Sequence, residues 1–288
     1  MTHPAIDRLD TLFGFGVAGN FAGHLEQAGE AGDFVRVVAE AATAPKGIFP
    51  FYVPGGETFL GTFPLSHDRI AKPISDEPLN LQIEPEVGVI CAVSYEDAGV
   101  VALAPQAIGA FNDCSIRRPG ARKISEKKNW GPDSKGLARD LLPVTELDPD
   151  GATASFRLAS FLRRGEQVDA YGEDSPLPGY SYYGAQLLDW IADRLRHQTG
   201  SDDTPLEPVG QYLLDAGRPS HVLIGIGATR YTPLGESTFL DVGDESIVVV
   251  YDGALHRPDE IEDAVADRTA SALPGTSVLT QTVYDAGA

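Results

Sequence analysis

Only two of the 288 residues are cysteines, Cys91 and Cys114. Two thiols build no disulfide framework and lack the spacing of a thiolate metal site, so a reducing, cytoplasmic setting is expected. No stretch approaches the roughly 18 consecutive apolar residues of a membrane span, and no membrane partner is expected. The opening MTHPAIDRLD has neither a basic region nor an apolar one, which predicts no signal peptide. Base is scarce as well: 22 Lys and Arg stand against 42 Asp and Glu, a formal net charge of -20. A chain this acidic repels phosphate backbones, which argues against a nucleic-acid partner. What is present is ordinary for a globular protein, with 42% hydrophobic and 22% charged residues.

The 31 glycines and 21 prolines recur along the whole chain and favour many short strands over a helical bundle. Strands are predicted over 86–93, 100–103, 154–162, 221–226 and 246–251. Apolar spacing predicts helices over 183–197 and 258–272, and more weakly over 206–216. A short helix is expected after Asn20 and another over 33–42, and the polar stretch 199–208 reads as a surface loop. Strands and helices do not alternate regularly, so the fold class is α+β and rich in β-structure. Residues 1–75 are expected to pack on a core of residues 76–288, the two forming one continuous unit.

The few bases are not evenly spread. Between Arg117 and Lys135 lie Arg117, Arg118, Arg122, Lys123, Lys127, Lys128 and Lys135, opposed only by Glu126 and Asp133. A local cationic patch in an acidic protein suits a small anionic ligand. Separately, Gly14, Gly16 and Gly19 spell G-x-G-x-x-G, with Glu40 where a ribose-binding acid could stand. The preceding IDRLDTLF is no buried apolar strand, and Gly23 and Gly29 interrupt the helix that should follow. A glycine-rich turn between a strand and a short helix is the preferred reading, and dinucleotide binding is the alternative.

Glu84 and Glu86 flank Pro85 in LQIEPEVGVI. In extended chain, residues i and i+2 point to one side. Two carboxylates on one face repel unless a cation lies between them, and hard oxygen ligands suit Mg²⁺, Mn²⁺ or Ca²⁺. A solvated edge strand would carry the same letters. Asp113 supplies a third carboxylate, where an apolar stretch runs into the cationic patch.

Four segments occur in a telling order: NFAGH (20–24), EPE (84–86), NDCSIR (112–117) and KNWG (128–131). With looser matches in RRGEQVDAYGEDS and FLDVGDESIVVVYDG, they make the chain resemble the fumarylacetoacetate hydrolase superfamily over roughly residues 14–253. The resemblance implies a rolled or barrel-like mixed sheet with peripheral helices, and a homodimer. It implies Mg²⁺ or Mn²⁺ on Glu84, Glu86 and Asp113. Lys128 would contact a small anionic dicarbonyl or 2-oxo acid, Arg117 would hold the substrate or the site, and His24 would be the general base. The reaction implied is C–C hydrolysis, decarboxylation or enol–keto isomerisation; the alternative is a binding or regulatory member without turnover. The chain departs from the family at three points. FPFYVPG lacks the family's lysine, and Lys72-Pro73 stands further on. GIGAT (225–229) replaces a T-G-T loop. Gln27 occupies the position of the carboxylate that partners the histidine. In a helix, Gln27 and Ala28 share a face with His24 and neither is charged, so enolate chemistry is expected to outpace hydrolysis.

Overall fold

The computed structural model describes residues 8–287 apart from Val38, Glu40, Ala42, Pro78, Ala98 and Pro119. Its strands are β1 (Phe13–Ala18), β2 (Gly47–Tyr52), β3 (Leu65–Ser66), β4 (Arg69–Lys72), β5 (Leu81–Gln82), β6 (Pro85–Glu96), β7 (Gly99–Asn112), β8 (Ser115–Ile116), β9 (Lys135–Leu137), β10 (Leu142–Pro143), β11 (Phe156–Arg164), β12 (Gln167–Pro176), β13 (His221–Gly225), β14 (Glu245–Asp252) and β15 (Thr276–Asp285). Its helices are α1 (His24–Gln27), α2 (Ser125–Lys128), α3 (Gly184–His197), α4 (Val209–Asp215), α5 (Pro233–Ser237) and α6 (Pro258–Ala266).

An eight-stranded sheet runs β2-β1-β13-β6-β7-β9-β3, with β10 also paired to β7. A five-stranded sheet runs β12-β11-β14-β15-β4, and β5 pairs with β8. The result is a curled, strand-rich half-barrel with few helices, as the sequence predicts. The two larger sheets meet through β6 and β7 against β11, β14 and β15. Phe15, Val89, Ile108, Leu158 and Val248 are buried together there. On the outer face of the second sheet, α6 covers Phe161, Ile247 and Val249 with Ile261 and Val265. α3 turns Leu187, Trp190, Ile191 and Leu195 inward and packs on β7.

The long β6–β7 hairpin exceeds its predicted length. Pro105 and Gly109 punctuate β7 and hide it from pattern reading. Proline offers no amide to the ladder, and the register shifts where Cys91 meets Pro105. At Gly109 a Cβ would lie 2.3 Å from the end of the Leu141 side chain, which would have to move to admit a larger residue. The helix expected over 258–272 stops at Ala266, since Arg268 takes a left-handed conformation with φ 60°, and a 3₁₀ turn follows at Ala270–Ala272. The helix expected over 206–216 starts only at Val209, after Pro208. Of the helix expected over 33–42, the described residues form a 3₁₀ turn at Ala31–Phe34. No helix among the described residues is long and apolar enough to cross a membrane.

The G-x-G-x-x-G letters do not form a phosphate-binding turn. Gly14 and Gly16 lie inside β1, between antiparallel β2 and parallel β13. They are glycines because aromatic rings of β2 cover them: a Cβ would lie 2.1 Å from Phe51 at Gly14 and 2.4 Å from Phe49 at Gly16. Only Gly19, at φ 72°, serves a turn. Glu40, the acid of that reading, lies outside the described residues. Gly14→Ala and Gly16→Ala are therefore expected to overpack the sheet and each lower stability by about 1–3 kcal/mol, measured by urea denaturation. An unchanged midpoint would show that the rings yield freely.

Candidate functional site

The β6–β7 hairpin brings distant acids together. Pro85 pairs with Asn112 at its open end. The Glu84 amide donates to Asn112 Oδ1 at 3.1 Å, and the Asp113 amide donates to the Glu84 carbonyl at 3.0 Å. Asn112 is pinned in turn, its Nδ2 donating to Ser246 Oγ and Gln281 Oε1 at 3.1 Å each. Glu84, Glu86 and Asp113 are all buried, and one ligand oxygen from each lies within 4.8 Å of the others. Gly225, on neighbouring β13, leaves room for this: a Cβ there would lie 2.4 Å from Glu86 Oε2.

Much of the basic run turns inward to meet these acids. Lys128, at the end of α2, places Nζ 2.6 Å from Glu84 Oε2 and 2.5 Å from Asp113 Oδ2. Lys135 lies 3.2 Å from Asp113 Oδ1 and donates to the Cys114 carbonyl. One Arg117 amino nitrogen lies 3.0 Å from Glu84 Oε1 and 2.7 Å from Glu30 Oε1. The Arg117 Nε donates to Gln82 Oε1 at 2.7 Å, and its other amino group to the Tyr231 hydroxyl at 3.2 Å. Lys127 joins Glu30 to Asp33. Arg118 and Arg122 are exposed. Lys123, from its place in the run, reads as solvent-facing; it is instead half-buried, its ammonium donating to the carbonyls of Ser201, Thr204 and Leu206.

Three carboxylates this close in a dry site cannot behave alike. Burial pushes Glu84 up, but Lys128 and Arg117 outweigh it and hold the carboxyl far below the usual range. Glu86 forms none of these ion pairs; its partner is the Gly227 amide, 3.0 Å from Oε2. Burial and the neighbouring Asp113 push it well above the usual range. Burial would lower Lys128, yet Asp113 and Glu84 raise it. Burial prevails at Lys135 and lowers it despite Asp113. Neither oxygen of Asp113, nor Oε1 of Glu84, accepts a well-aligned hydrogen bond. Three buried carboxylates with a ligand oxygen from each within 4.8 Å fit a divalent cation, so this Glu-Glu-Asp group could bind a divalent metal.

His24 opens α1 and is buried against the Tyr231 ring, with centroids 5.1 Å apart. Its Nδ1 lies 2.8 Å from the Thr229 carbonyl. A carbonyl only accepts, so Nδ1 carries the proton and Nε2 keeps its lone pair. Burial lowers its pKa, and Glu84 offsets this only in part. Gln27 does share the inward face, but it grips the backbone of Tyr231, donating to its carbonyl at 3.1 Å and accepting from its amide at 2.9 Å. The GIGAT segment is thus the hub of the site: Gly227 holds Glu86, Thr229 holds His24, and Ile226 accepts from Asn20 Nδ2 at 2.8 Å. Lys72 pairs with Asp241 at 2.6 Å rather than with the carboxylates.

Sequence reasoning missed Glu30, Lys127 and Lys135. The two lysines stood in the basic run, where nothing in the spacing separates inward from outward residues. Glu30 carried no signal, being six positions from His24. A space of about 20 Å³, bounded in part by His24, Glu30, Glu84, Glu86, Lys128 and Phe49, joins these groups. That volume admits one water-sized species.

Residues 30–283 match the model of a family of unknown function, DUF5718, and the chain belongs to that family. No curated protein matches the sequence. Among solved structures the fold is similar to that of Cg1458 with inhibitor, at a TM-score of 0.55 and 12% identity, over 95% of this chain and 77% of that one. It is also similar to 5-carboxymethyl-2-hydroxymuconate delta-isomerase from Mycobacterium smegmatis, at 0.50 and 14%, over 96% and 80%. The fold is fumarylacetoacetate hydrolase-like, as the order of the motifs implied.

The neighbouring glutamates should respond oppositely to neutralisation. A folded pKa raised above the unfolded one means that ionising Glu86 opposes folding, increasingly so as pH rises past the usual carboxylate range. Glu86→Gln is expected to stabilise the metal-free protein at pH 8 by about 1–3 kcal/mol, and less at pH 5. For Glu84 the folded pKa is depressed, so its stabilisation is present above the unfolded value and lost in acid. Glu84→Gln, which strips Lys128 and Arg117 of a partner, should cost about 3–5 kcal/mol at either pH. Urea denaturation at the two pH values reads both.

Proposed function

We propose that this chain is a divalent-metal-dependent enzyme acting on a small 2-oxo acid or 1,3-dicarbonyl, with Mg²⁺ or Mn²⁺ held by Glu84, Glu86 and Asp113. The observation that carries the reading is the convergence of three buried carboxylates, their ligand oxygens within 4.8 Å, beside a histidine whose Nε2 is left as an acceptor. A bound divalent metal would supply Lewis-acid stabilisation of an enolate. The remaining roles follow from the protein's own groups.

Lys128 is fixed between Glu84 and Asp113 and lines the internal space, so it meets the substrate's oxygens as a charged donor. Arg117 is engaged by Glu30, Glu84, Gln82 and Tyr231, and holds the site rather than the substrate. His24 Nε2 is placed to take a proton from water or from the substrate. A space of about 20 Å³ is too small for a dicarbonyl. Admission of a substrate would require the walls of that space to move.

The partner of His24 is a neutral carbonyl, and the nearby Glu84 and Glu30 only partly offset the burial that opposes an imidazolium there. Activation of water suffers most, and decarboxylation or enol–keto isomerisation should outpace C–C hydrolysis. Similarity of fold to a delta-isomerase supports the same direction. A binding or regulatory protein is the second reading. It is favoured by the cations that already neutralise Glu84 and Asp113.

Titration with Mn²⁺ tests the metal site, and turnover across acylpyruvates and oxaloacetate tests catalysis. Asp113→Ala should weaken Mn²⁺ binding at least ~10-fold; unchanged affinity would remove the basis of the proposal. His24→Ala should lower turnover by about 10²–10⁴ while Mn²⁺ still binds. Lys128→Ala should weaken oxalate binding far more than the exposed Arg118→Ala. Mn²⁺ binding without turnover on any substrate would favour the second reading.

A further inference from the structure

Around the carboxylate cluster four acids, Glu30, Glu84, Glu86 and Asp113, stand among four bases, Arg117, Lys127, Lys128 and Lys135. Seven of these residues are buried, and the Arg117 side chain is only 12% exposed. Asp33, the second partner of Lys127, is 43% exposed, so water screens its charge. Four charges of each sign leave the interior of the site neutral before any ion arrives. Burial favours a proton on Glu86 and opposes one on Lys135, and those two changes cancel in the sum.

Two of the bases stand behind the site rather than in it. Lys135 is fully buried, 3.2 Å from Asp113 Oδ1, with its ammonium donating to the Cys114 carbonyl and lying 5.3 Å from the centre of the Trp130 ring. Lys127 reaches Glu30 at 3.0 Å and Asp33 at 2.7 Å. Both are fixed positive charges in a dry region, where neither water nor salt screens them well. A divalent ion on Glu84, Glu86 and Asp113 would therefore give a neutral interior two uncompensated positive charges, which is costly. A ligand with two negative charges restores neutrality, whereas a monoanion restores only half of it.

We propose that a divalent metal and a dianionic ligand bind this site as a coupled pair. Lys127 and Lys135 make it a poor site for the bare ion, and they select a doubly charged substrate, such as a 2-oxo dicarboxylate, over a singly charged 2-oxo acid. The inference rests on the metal reading of the site given above and names the substrate class within it. Such coupling is reciprocal: ion and dianion raise each other's affinity by the same factor.

Mn²⁺ binding by the whole chain, followed by loss of the free-ion electron paramagnetic resonance signal, tests this with oxalate as the dianion and oxamate as its isosteric monoanion. At equal free Mn²⁺, oxalate should raise the affinity for the ion at least ~10-fold and oxamate less than ~3-fold. Oxalate also chelates the ion directly, so charge variants identify the cause. Lys135→Met should tighten binding of Mn²⁺ alone by about 3-fold or more and shrink the oxalate effect. Lys127→Gln removes a charge without touching the three carboxylates, should act in the same direction, and decides alone if Lys135→Met fails to fold. Equal effects of oxalate and oxamate, tight Mn²⁺ binding that oxalate does not improve, or folded variants in which neither quantity changes would each overturn the proposal and leave the metal reading standing. No Mn²⁺ binding with or without oxalate would remove the metal reading itself, and the proposal with it.

Discussion

Burying Glu84, Glu86 and Asp113 side by side is the constraint around which the rest of this protein is arranged. Charges in a dry interior are tolerated only when paired, and the scarce bases of an acidic chain are concentrated where that pairing is needed. Lys128 and Lys135 face Asp113, Lys128 and Arg117 face Glu84, and Arg117 and Lys127 face Glu30. A run that reads as a surface patch is in large part an internal counter-charge. Glu86 is left outside the pairing and holds only the Gly227 amide. It is the carboxylate with the most to gain from a metal.

The scaffold serves this cluster through backbone rather than through side-chain bulk. The hairpin ends at Pro85 and Asn112, so the acids just beyond each strand become neighbours. The Asn112 side chain ties that end to the second sheet. Gly225 lets a strand pass close to Glu86, and the chain that follows it supplies an amide to Glu86 and a carbonyl to His24. A carbonyl fixes the tautomer of a histidine without lending it charge. That choice separates this site from one with a carboxylate on the histidine, and under the proposed function it would favour enolate chemistry over water activation. Lys128 already bridges two of the carboxylates, so any metal shares them with a fixed ammonium. Under the proposed function an anionic ligand would meet both a lysine and a metal.

Several features are legible in the order of the residues. The strands over 86–93, 154–162, 221–226 and 246–251, and the helix over 183–197, show in apolar periodicity because burial of one face imposes it. The E-P-E segment and Asp113 stand out because like charges beside apolar strands demand a partner. Other features leave no local trace. Gly14 and Gly16 spell a nucleotide motif, yet they are glycines because Phe51 and Phe49 lie over them, and those rings are remote in sequence. Pro105 and Gly109 disguise the longest strand. Glu30 enters the site only because the short segment after His24 folds back over it.

The sequence by itself determined which residue types were available: a β-rich globular chain, three carboxylates flanking apolar strands, a histidine, and a basic run in an acidic whole. Periodicity, composition and motif order are properties of neighbouring residues, and they survive in one dimension. Only the tertiary structure decided which lysines turn inward, that Gln27 grips Tyr231 rather than serving His24, and that the pKa values of Glu84 and Glu86 are pushed in opposite directions. Those outcomes depend on burial and on distances between segments far apart in the chain. A pairwise charge interaction falls with separation in space and with the dielectric around it, and neither quantity is written in the order of the residues.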